Sequence, residues 1–204
     1  MAARPHTAAN SEGPVMSYDF STLLNDMQLP AHRALVGHWL DLYTAAGAQV
    51  PALQEIDPIR LGRHLPDICI LNHEGGNLYR FRLAGGNVND FYGQDVRQKS
   101  LADLVESPTR ERLLDMAHAI LHLPAAVMHG LSSMQPQWNY SIALQRISLP
   151  LADADGVPRH IISSTVFFRF DRDDTQSLAS TDFQHRYRIP LHSGSNDMAV
   201  RPAC

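Results

Sequence analysis

One stripe of a predicted helix collects four side chains that can bind metals or transfer protons. They are spaced by four, three and four residues: Glu111, Asp115, His118 and His122. Because residues three and four apart share a helical face, these side chains are neighbours, and histidines four apart can ligate Zn²⁺ or Ni²⁺. The stripe lies almost opposite the apolar positions of the helix. We therefore expect a solvated face, with His118 and His122 as only a weak metal candidate at the surface.

Other reactive side chains give weaker signals. Cys69 stands between Ile68 and Ile70 in an apolar run, which is typical of a small buried hydrophobe, and the other cysteine is Cys204. Neither a disulfide framework nor a C-x-x-C metal motif is available from two cysteines so placed. The sequence contains no nucleophile elbow, P-loop, zincin helix or dinucleotide-binding fingerprint. We therefore do not expect an enzyme.

Charge and hydropathy exclude two classes of partner. The chain has 204 residues, with 17 Lys and Arg against 21 Asp and Glu, a net charge of -4 and no basic run. This balance argues against nucleic-acid binding. No stretch of about 18 apolar residues is present to span a membrane, and residues 1–15 lack the apolar core of a signal peptide. We therefore expect a cytoplasmic protein.

Two helices are predicted from apolar spacing and from their ends. The first begins at Pro30 and stops before Gly47. Its apolar face comprises Leu35, Trp39, Leu42, Tyr43 and Ala46. The second begins at Ser107 and Pro108, a favourable cap followed by a favourable first residue. Its apolar face comprises Leu113, Ala117, Ile120 and Leu121.

Five segments have the composition of β-strands: residues 65–72, 78–84, 125–134, 139–151 and 159–170. A Gly-Gly turn joins the first two and a turn at residues 153–156 joins the last two, so both pairs are predicted hairpins. The apolar alternation of the fourth segment slips by one residue, which predicts a β-bulge near Gln145 and Arg146. We expect an α+β fold: a five-stranded antiparallel sheet with helices on one face and an N-terminal amphipathic helix.

Composition divides the chain into three parts. Residues 1–16 are rich in Ala, Pro, Ser and Asn, which predicts a disordered leader. Residues 17–170 contain the periodic segments and form one predicted domain with its N-terminal helix. Residues 171–204 are polar, which predicts a mostly flexible C-terminal tail.

The order of elements and a series of short motifs resemble the PAS domain. In chain order the motifs are Trp39-Leu40-Asp41-Leu42-Tyr43, Leu65-Pro66-Asp67-Ile68, Tyr79-Arg80-Phe81-Arg82-Leu83-Ala84-Gly85, Gly93-Gln94-Asp95 and Leu101-Ala102-Asp103-Leu104. Together they are similar to the PAS subfamily common as stand-alone proteins in alphaproteobacteria. There is one departure: Arg97 and Gln98 stand where that family usually has a small residue and a glycine.

The resemblance implies signalling or regulation through a ligand or a partner, and it names no ligand because PAS folds host many functions. It implies a pocket between the sheet and the helical insert. The candidates to line it are Phe81, Phe91, Tyr92, Ile120, Tyr140 and Phe168. A filled core is the alternative for the same side chains. Arg80 and Arg82 lie on the other face of their strand, where we expect solvated charges, with an anion or partner contact as the alternative.

No cofactor is predicted. Haem-binding PAS domains hold the iron with a histidine that points from this helix toward the pocket, whereas we expect His118 and His122 to face solvent. Blue-light sensors of similar fold carry the flavin-adduct cysteine in a polar motif on a helix, whereas Cys69 lies in a predicted strand. We therefore expect a colourless protein without haem or flavin.

The first helix also predicts a homodimer, because its apolar surface is wide. Val36 and Leu40 lie to one side of the main stripe and share Tyr43 with it. A surface helix needs only one apolar stripe about 100° wide. PAS domains often pair through such helices, and a symmetric pair would place Val36, Leu40 and Tyr43 against the same residues of the mate.

Three functions remain open. The preferred hypothesis is a PAS-type regulatory protein without its own output domain, which binds a small molecule, signalling partners or both and acts through a partner in trans. The alternative is a ligand-free protein-interaction adaptor with a filled core. The third and least favoured is a histidine-dependent metal enzyme, which would need three or more ligands converging in a cleft.

Overall fold

The computed structural model describes residues 16–17, 27–107, 109–122, 125–134, 140–171, 187–190 and 199–202. Helices α1 to α5 span Pro30–Ala45, Pro58–Leu61, Gly86–Tyr92, Leu101–Leu104 and Thr109–His122. Strands β1 to β8 span Met16–Ser17, Ile68–His73, Tyr79–Ala84, Ala125–Met134, Tyr140–Ala152, Pro158–Asp171, Tyr187–Pro190 and Ala199–Pro202. A short 3-10 turn at Leu53–Glu55 lies between α1 and α2, and another at Gly62–Asp67 connects α2 to β2.

The strands form one sheet in the order β1-β8-β7-β4-β5-β6-β2-β3, and neighbouring strands are antiparallel. Its contiguous part β4-β5-β6-β2-β3 is the five-stranded sheet predicted from the sequence, so the α+β fold is confirmed. The short strands β7, β8 and β1 extend this sheet beyond β4. Within the described ranges, no helix combines the length and the apolar character that a membrane crossing requires.

Different helices cover the two faces of the sheet. Helix α1 packs on one face, which we call the outer face. The sheet contributes six residues to the core between α1 and this face: Ile68, Ile70, Ile147, Leu149, Leu151 and Ile162. The helical insert α3–α5 packs on the other, inner face. The core there includes Cys69, Leu71, Tyr79, Phe81, Val88, Ala117, Ile120, Leu121 and Ile161. The sheet is therefore sandwiched, because strand residues alternate between two apolar layers.

Trp39 anchors α1 to the sheet. The indole is fully buried and stacks on Tyr43, with ring centroids 5.0 Å apart. Its Nε1–H donates to the carbonyl oxygen of Pro150 on β5 over 2.8 Å. Burial of such a side chain stabilises the fold by about 1.5–3 kcal/mol, and the hydrogen bond satisfies a polar group that would otherwise be costly to bury.

The wide apolar surface of α1 has an explanation inside the chain. Val36 is 0% exposed and Tyr43 is 8% exposed, both within the outer core, whereas Leu40 is half-buried at its edge. The helix contacts β5 and β6 on one flank and α2 with the turn at Gly62–Asp67 on another, so a broad stripe is needed within one molecule. The dimer patch predicted from the sequence is therefore wrong for Val36 and Tyr43, because their own sheet covers them.

The hairpin of β2 and β3 carries the first residues of the inner core. Tyr79 and Phe81 are 0% exposed, but Leu83, which the sequence placed on the same face, is 40% exposed. The pairing of β2 with β3 slips between Ile70 and Leu71. The alternation predicted for β3 therefore does not bury its last apolar residue.

Candidate functional site

Five polar side chains lie side by side on the inner face, across β2, β6 and β5. Cys69 opposes Ser163, which opposes Ser148, and Thr165 opposes Arg146. Cys69 and Ile161 belong to the inner core, so strand alternation assigns Ser163 and Thr165 to the same face, together with the residues paired to them. None of the five is more than 6% exposed. We call this set the inner polar strip.

The strip is a direct result of the pattern in β5. Ile147, Leu149 and Leu151 belong to the outer core, so the residues between them face inward. The register of β5 with β6 is continuous from Tyr140 to Leu151, and it shifts only beyond Leu151. The bulge predicted near Arg146 is therefore wrong. The apolar alternation slips because β5 has polar residues on its inner face from Arg146 onward, while its outer face becomes apolar.

Hydrogen bonds connect the strip across the β5–β6 pair. The hydroxyl oxygens of Ser148 and Ser163 are 2.8 Å apart, and Nε–H of Arg146 donates to Oγ1 of Thr165 over 2.8 Å. The ion pairs found among the described residues involve other arginines. Arg146 is thus a buried cation with no acidic partner in that part of the chain, which is uncommon because a buried charge is costly unless it is paired.

Cys69 has the buried position that the sequence predicts. It is 1% exposed, and burial raises the pKa of its thiol, while the nearby charge of Arg146 and a hydrogen bond with Ser163 act in the opposite direction. The thiol therefore remains protonated at neutral pH. It contributes a neutral group to the strip and does not offset the charge of Arg146.

Four of the six predicted pocket residues lie on the inner side of the sheet. Phe81 and Ile120 are almost fully buried in the inner core. Phe91 and Tyr92 are half-buried beside it, with Phe91 stacked at 4.7 Å on Phe167 and Tyr92 edge-on at 6.1 Å to Phe81. Phe167, which the sequence-based list omits, lies two residues beyond Thr165 on the same strand face.

The other two predicted pocket residues do not join this group. Phe168 follows the alternation of Ile162 and Ser164, and Ser164 faces α1, so Phe168 belongs to the outer face. The prediction is wrong by one residue, because two adjacent phenylalanines give no local signal for which of them points inward. The side chain of Tyr140 lies outside the described residues.

His118 is half-buried at the edge of the inner core and is not a fully solvated side chain. Its Nδ1 is 2.5 Å from the hydroxyl of Tyr79, whose pKa burial raises to about 12, so a protonated phenol shares a hydrogen bond with this nitrogen. The solvated position predicted for His118 is wrong because the long side chain of Tyr79 reaches α5 from β3. His122 is exposed, as predicted.

A third imidazole joins this group. His73 stacks on Tyr79 at 4.7 Å, and its Nε2–H donates to the carbonyl oxygen of Gly76 over 2.9 Å. Its ring lies 5.8 Å from that of His118 and 6.1 Å from that of His122. Across the described ranges, no group of three or more His, Cys, Asp or Glu is arranged to hold a metal ion. Glu111 and Asp115 are exposed.

Comparison with known families decides the class of this fold. A family model described as a PAS domain matches residues 27–165, which extend from the start of α1 into β6. The chain belongs to the PAS domain family. Comparison with curated proteins finds no match. PAS domains have sensory, regulatory or interaction roles in general, and the membership predicted from the motifs is confirmed. The stand-alone subfamily stays a prediction.

The departure from the PAS pattern now has a structural description. Gln98 has a φ of +66°, a left-handed conformation that favours glycine, and it stands where the family usually has one. Its N–H donates to the carbonyl oxygen of Phe81 over 2.7 Å, and its own carbonyl accepts from Arg80 over 2.6 Å. The two hydrogen bonds therefore hold the turn with Gln98 in a strained backbone conformation.

The two arginines of β3 have different surroundings in this PAS domain. Besides its bond to Gln98, Arg80 forms an ion pair with Glu74 at 3.0 Å, so it supports the turn and is not simply a solvated charge. Arg82 is exposed and lines a cleft of about 380 Å³ with Asp153 and His160. Burial lowers the pKa of His160, and the charge of Arg82 acts in the same direction.

Proposed function

We propose that this PAS domain is a regulatory protein that recognises a small molecule at the inner face of its sheet and acts through a signalling partner in trans. The observation that carries the proposal is the inner polar strip. Its hydroxyls and its cation are buried between the sheet and the helical insert, where a purely structural core would be more stable with apolar residues. Residues that break the rules of core packing are expected mainly at functional sites.

A ligand-free adaptor is the second candidate, and a specific observation favours it. Phe81 and Ile120 are almost fully buried in a packed inner core, which is what a filled PAS core requires. An adaptor does not need Arg146 on that face, however. The strip therefore favours small-molecule recognition over the adaptor.

The proposal also includes a route of output. The described ranges form one sheet with its helices and two short 3-10 turns. We assign the output to a partner protein, which would respond to the occupancy of the inner face.

Native mass spectrometry with an absorption spectrum tests this proposal on the purified full-length chain. We expect a population that carries the mass of one small molecule per chain, which denaturation releases, and no haem or flavin absorption. As a matched variant, Ser148→Ala with Ser163→Ala removes two hydroxyls of the strip and should reduce the fraction of chains that retain the small molecule. A chain that carries no ligand, and that a cell metabolite extract does not stabilise thermally, would favour the adaptor instead.

A further inference from the structure

We propose that the ligand of the inner face is a small organic acid whose carboxylate binds the guanidinium of Arg146. This inference rests on the proposed small-molecule function and adds the chemical class of the ligand. The first step is the charge. Arg146 is 6% exposed and carries a guanidinium group, so its burial without a counter-charge is costly. A bound anion would supply that counter-charge.

The second step is that the neighbours cannot neutralise the cation. Ser148, Ser163 and Thr165 offer hydroxyl groups, and the thiol of Cys69 is held protonated. These groups are neutral; one hydroxyl of the Ser148–Ser163 pair donates to the other, and the remaining hydroxyls can each donate a hydrogen bond. An anion beside Arg146 would therefore meet one positive charge and several donors, without a carboxylate of the described chain to compete with it.

The third step is geometry. The hydrogen bond from Nε of Arg146 to Thr165 fixes one edge of the planar guanidinium, and within the described residues the structure shows no acceptor for its Nη groups. Two Nη donors on a fixed plane match the two oxygens of a carboxylate. Phe167 continues the same strand face and stacks on Phe91, which gives an apolar surface suited to an organic group. Together these features favour an organic acid over inorganic phosphate.

Binding of defined probes tests the inference. Acetate, succinate and benzoate are compared with acetamide, succinamide and benzamide by isothermal titration calorimetry and thermal unfolding. We expect at least one acid to bind the wild-type chain saturably, with its amide at least tenfold weaker. Arg146→Met should lose that binding, Arg146→Lys should keep part of it, and the control Arg82→Met, exposed on another surface, should keep all of it. Circular dichroism confirms that each variant is folded.

A second measurement does not depend on the choice of probe. Ligand-free Arg146→Met should melt at the same temperature as the ligand-free wild type or higher, because an apolar side chain replaces a buried cation. A clearly lower melting temperature would show that Arg146 only supports the fold, and it would overturn the inference.

The remaining outcomes separate this inference from the proposed function. Equal binding of an acid by the wild type and Arg146→Met, equal binding of acids and amides, or binding of inorganic phosphate alone overturns the organic-acid assignment. A neutral molecule retained in native mass spectrometry also overturns it, but leaves small-molecule recognition standing. If no probe binds and no mass is retained, both proposals fail.

Discussion

His32 is a single ionisable side chain that makes the stability of this fold depend on pH. It is 1% exposed between α1 and the sheet, with Nδ1 3.0 Å from Oγ of Ser164. Burial lowers its pKa from 6.5 to about 4, and a backbone hydrogen bond with Gln145 acts against that shift. The folded protein therefore keeps this imidazole neutral at a pH where the unfolded chain protonates it.

The sign of the pH dependence follows from these values. Because the pKa is lower in the folded state, the stability is complete above about pH 6.5 and falls as the pH drops toward 4. Between pH 7 and 5 we expect His32 alone to lower the free energy of unfolding by about 2 kcal/mol. Urea unfolding at several pH values should show a shallower dependence for His32→Gln. Exposed His122→Gln is the control and should keep the wild-type slope; equal slopes for His32→Gln and the wild type would contradict the prediction.

The backbone conformation of Gln98 gives a second prediction about stability at the scale of a single residue. Its φ of +66° costs a non-glycine residue about 1 kcal/mol, and both of its backbone hydrogen bonds are independent of its side chain. We expect Gln98→Gly to stabilise the fold by about 0.5–1 kcal/mol, measured by urea unfolding. Arg97→Gly, one residue earlier, is the control and should destabilise, because it loses the ion pair with Asp95 and gains chain entropy on unfolding. A destabilised Gln98→Gly would be inconsistent with this account.

At the scale of elements, the junction between β3 and α3 depends on close backbone contact. A Cβ on Gly85 would lie 2.3 Å from the carbonyl oxygen of Pro66 and 2.4 Å from that of Leu65. The φ of Gly85 is an ordinary −70°, so the requirement is one of space and not of conformation. Its N–H donates to the carbonyl oxygen of Ile68 over 2.8 Å, which holds β2, β3 and the insert together.

Two adjacent glycines give a matched test of this junction. Gly85→Ala should destabilise by about 2–3 kcal/mol or more, because backbone atoms must move to accept the methyl group. Gly86→Ala meets nothing within 4 Å at the first position of α3, so its stability should change by less than about 1 kcal/mol. Thermal and urea unfolding compare them. Similar effects of the two substitutions would mean that the close approach does not limit the fold.

The elements themselves could be predicted because their signals are local. Apolar spacing predicts α1 and α5, turn residues predict the hairpins, and residue composition predicts all five central strands. What sequence could not supply is which face of the sheet each helix covers. That choice decides whether Val36 is buried, what surrounds His118, and which of Phe167 and Phe168 points inward. The one-residue slip in the apolar alternation of β5 is the sequence signal of the inner polar strip, but a bulge gives the same local pattern.

At the scale of the whole molecule, the homodimer stays a prediction. Its contact surface has to be smaller than the sequence suggests, because Val36 and Tyr43 are buried within the chain. Leu40 is half-buried, and α2, held against α1 by the ion pair between Arg60 and Asp41, carries Ile59 at 86% exposure. Val36 is unsuitable for the test, because a buried glutamate at this position would unfold the chain.

Leu40→Glu and Ile59→Ser are therefore the informative variants. In analytical ultracentrifugation at tens of micromolar we expect a dimeric wild type and weaker association of both variants, since each removes apolar area from the contact. Exposed Arg33→Gln on the same helix is the control and should leave the dimer unchanged. A monomeric wild type, or two folded variants that associate normally, would rule out pairing through this surface.

The hydrogen bond from Trp39 to Pro150 allows the fluorescence of the indole to report on β5. The indole lies on the outer face, but the carbonyl it contacts belongs to β5, the strand that presents Arg146 and Ser148 to the inner face. Indole emission responds to the strength of such a hydrogen bond, and with Trp138→Phe the fluorescence comes from Trp39 alone. We expect occupancy of the proposed site on the inner face to change the emission of Trp39 on the outer face, without a dye or a label.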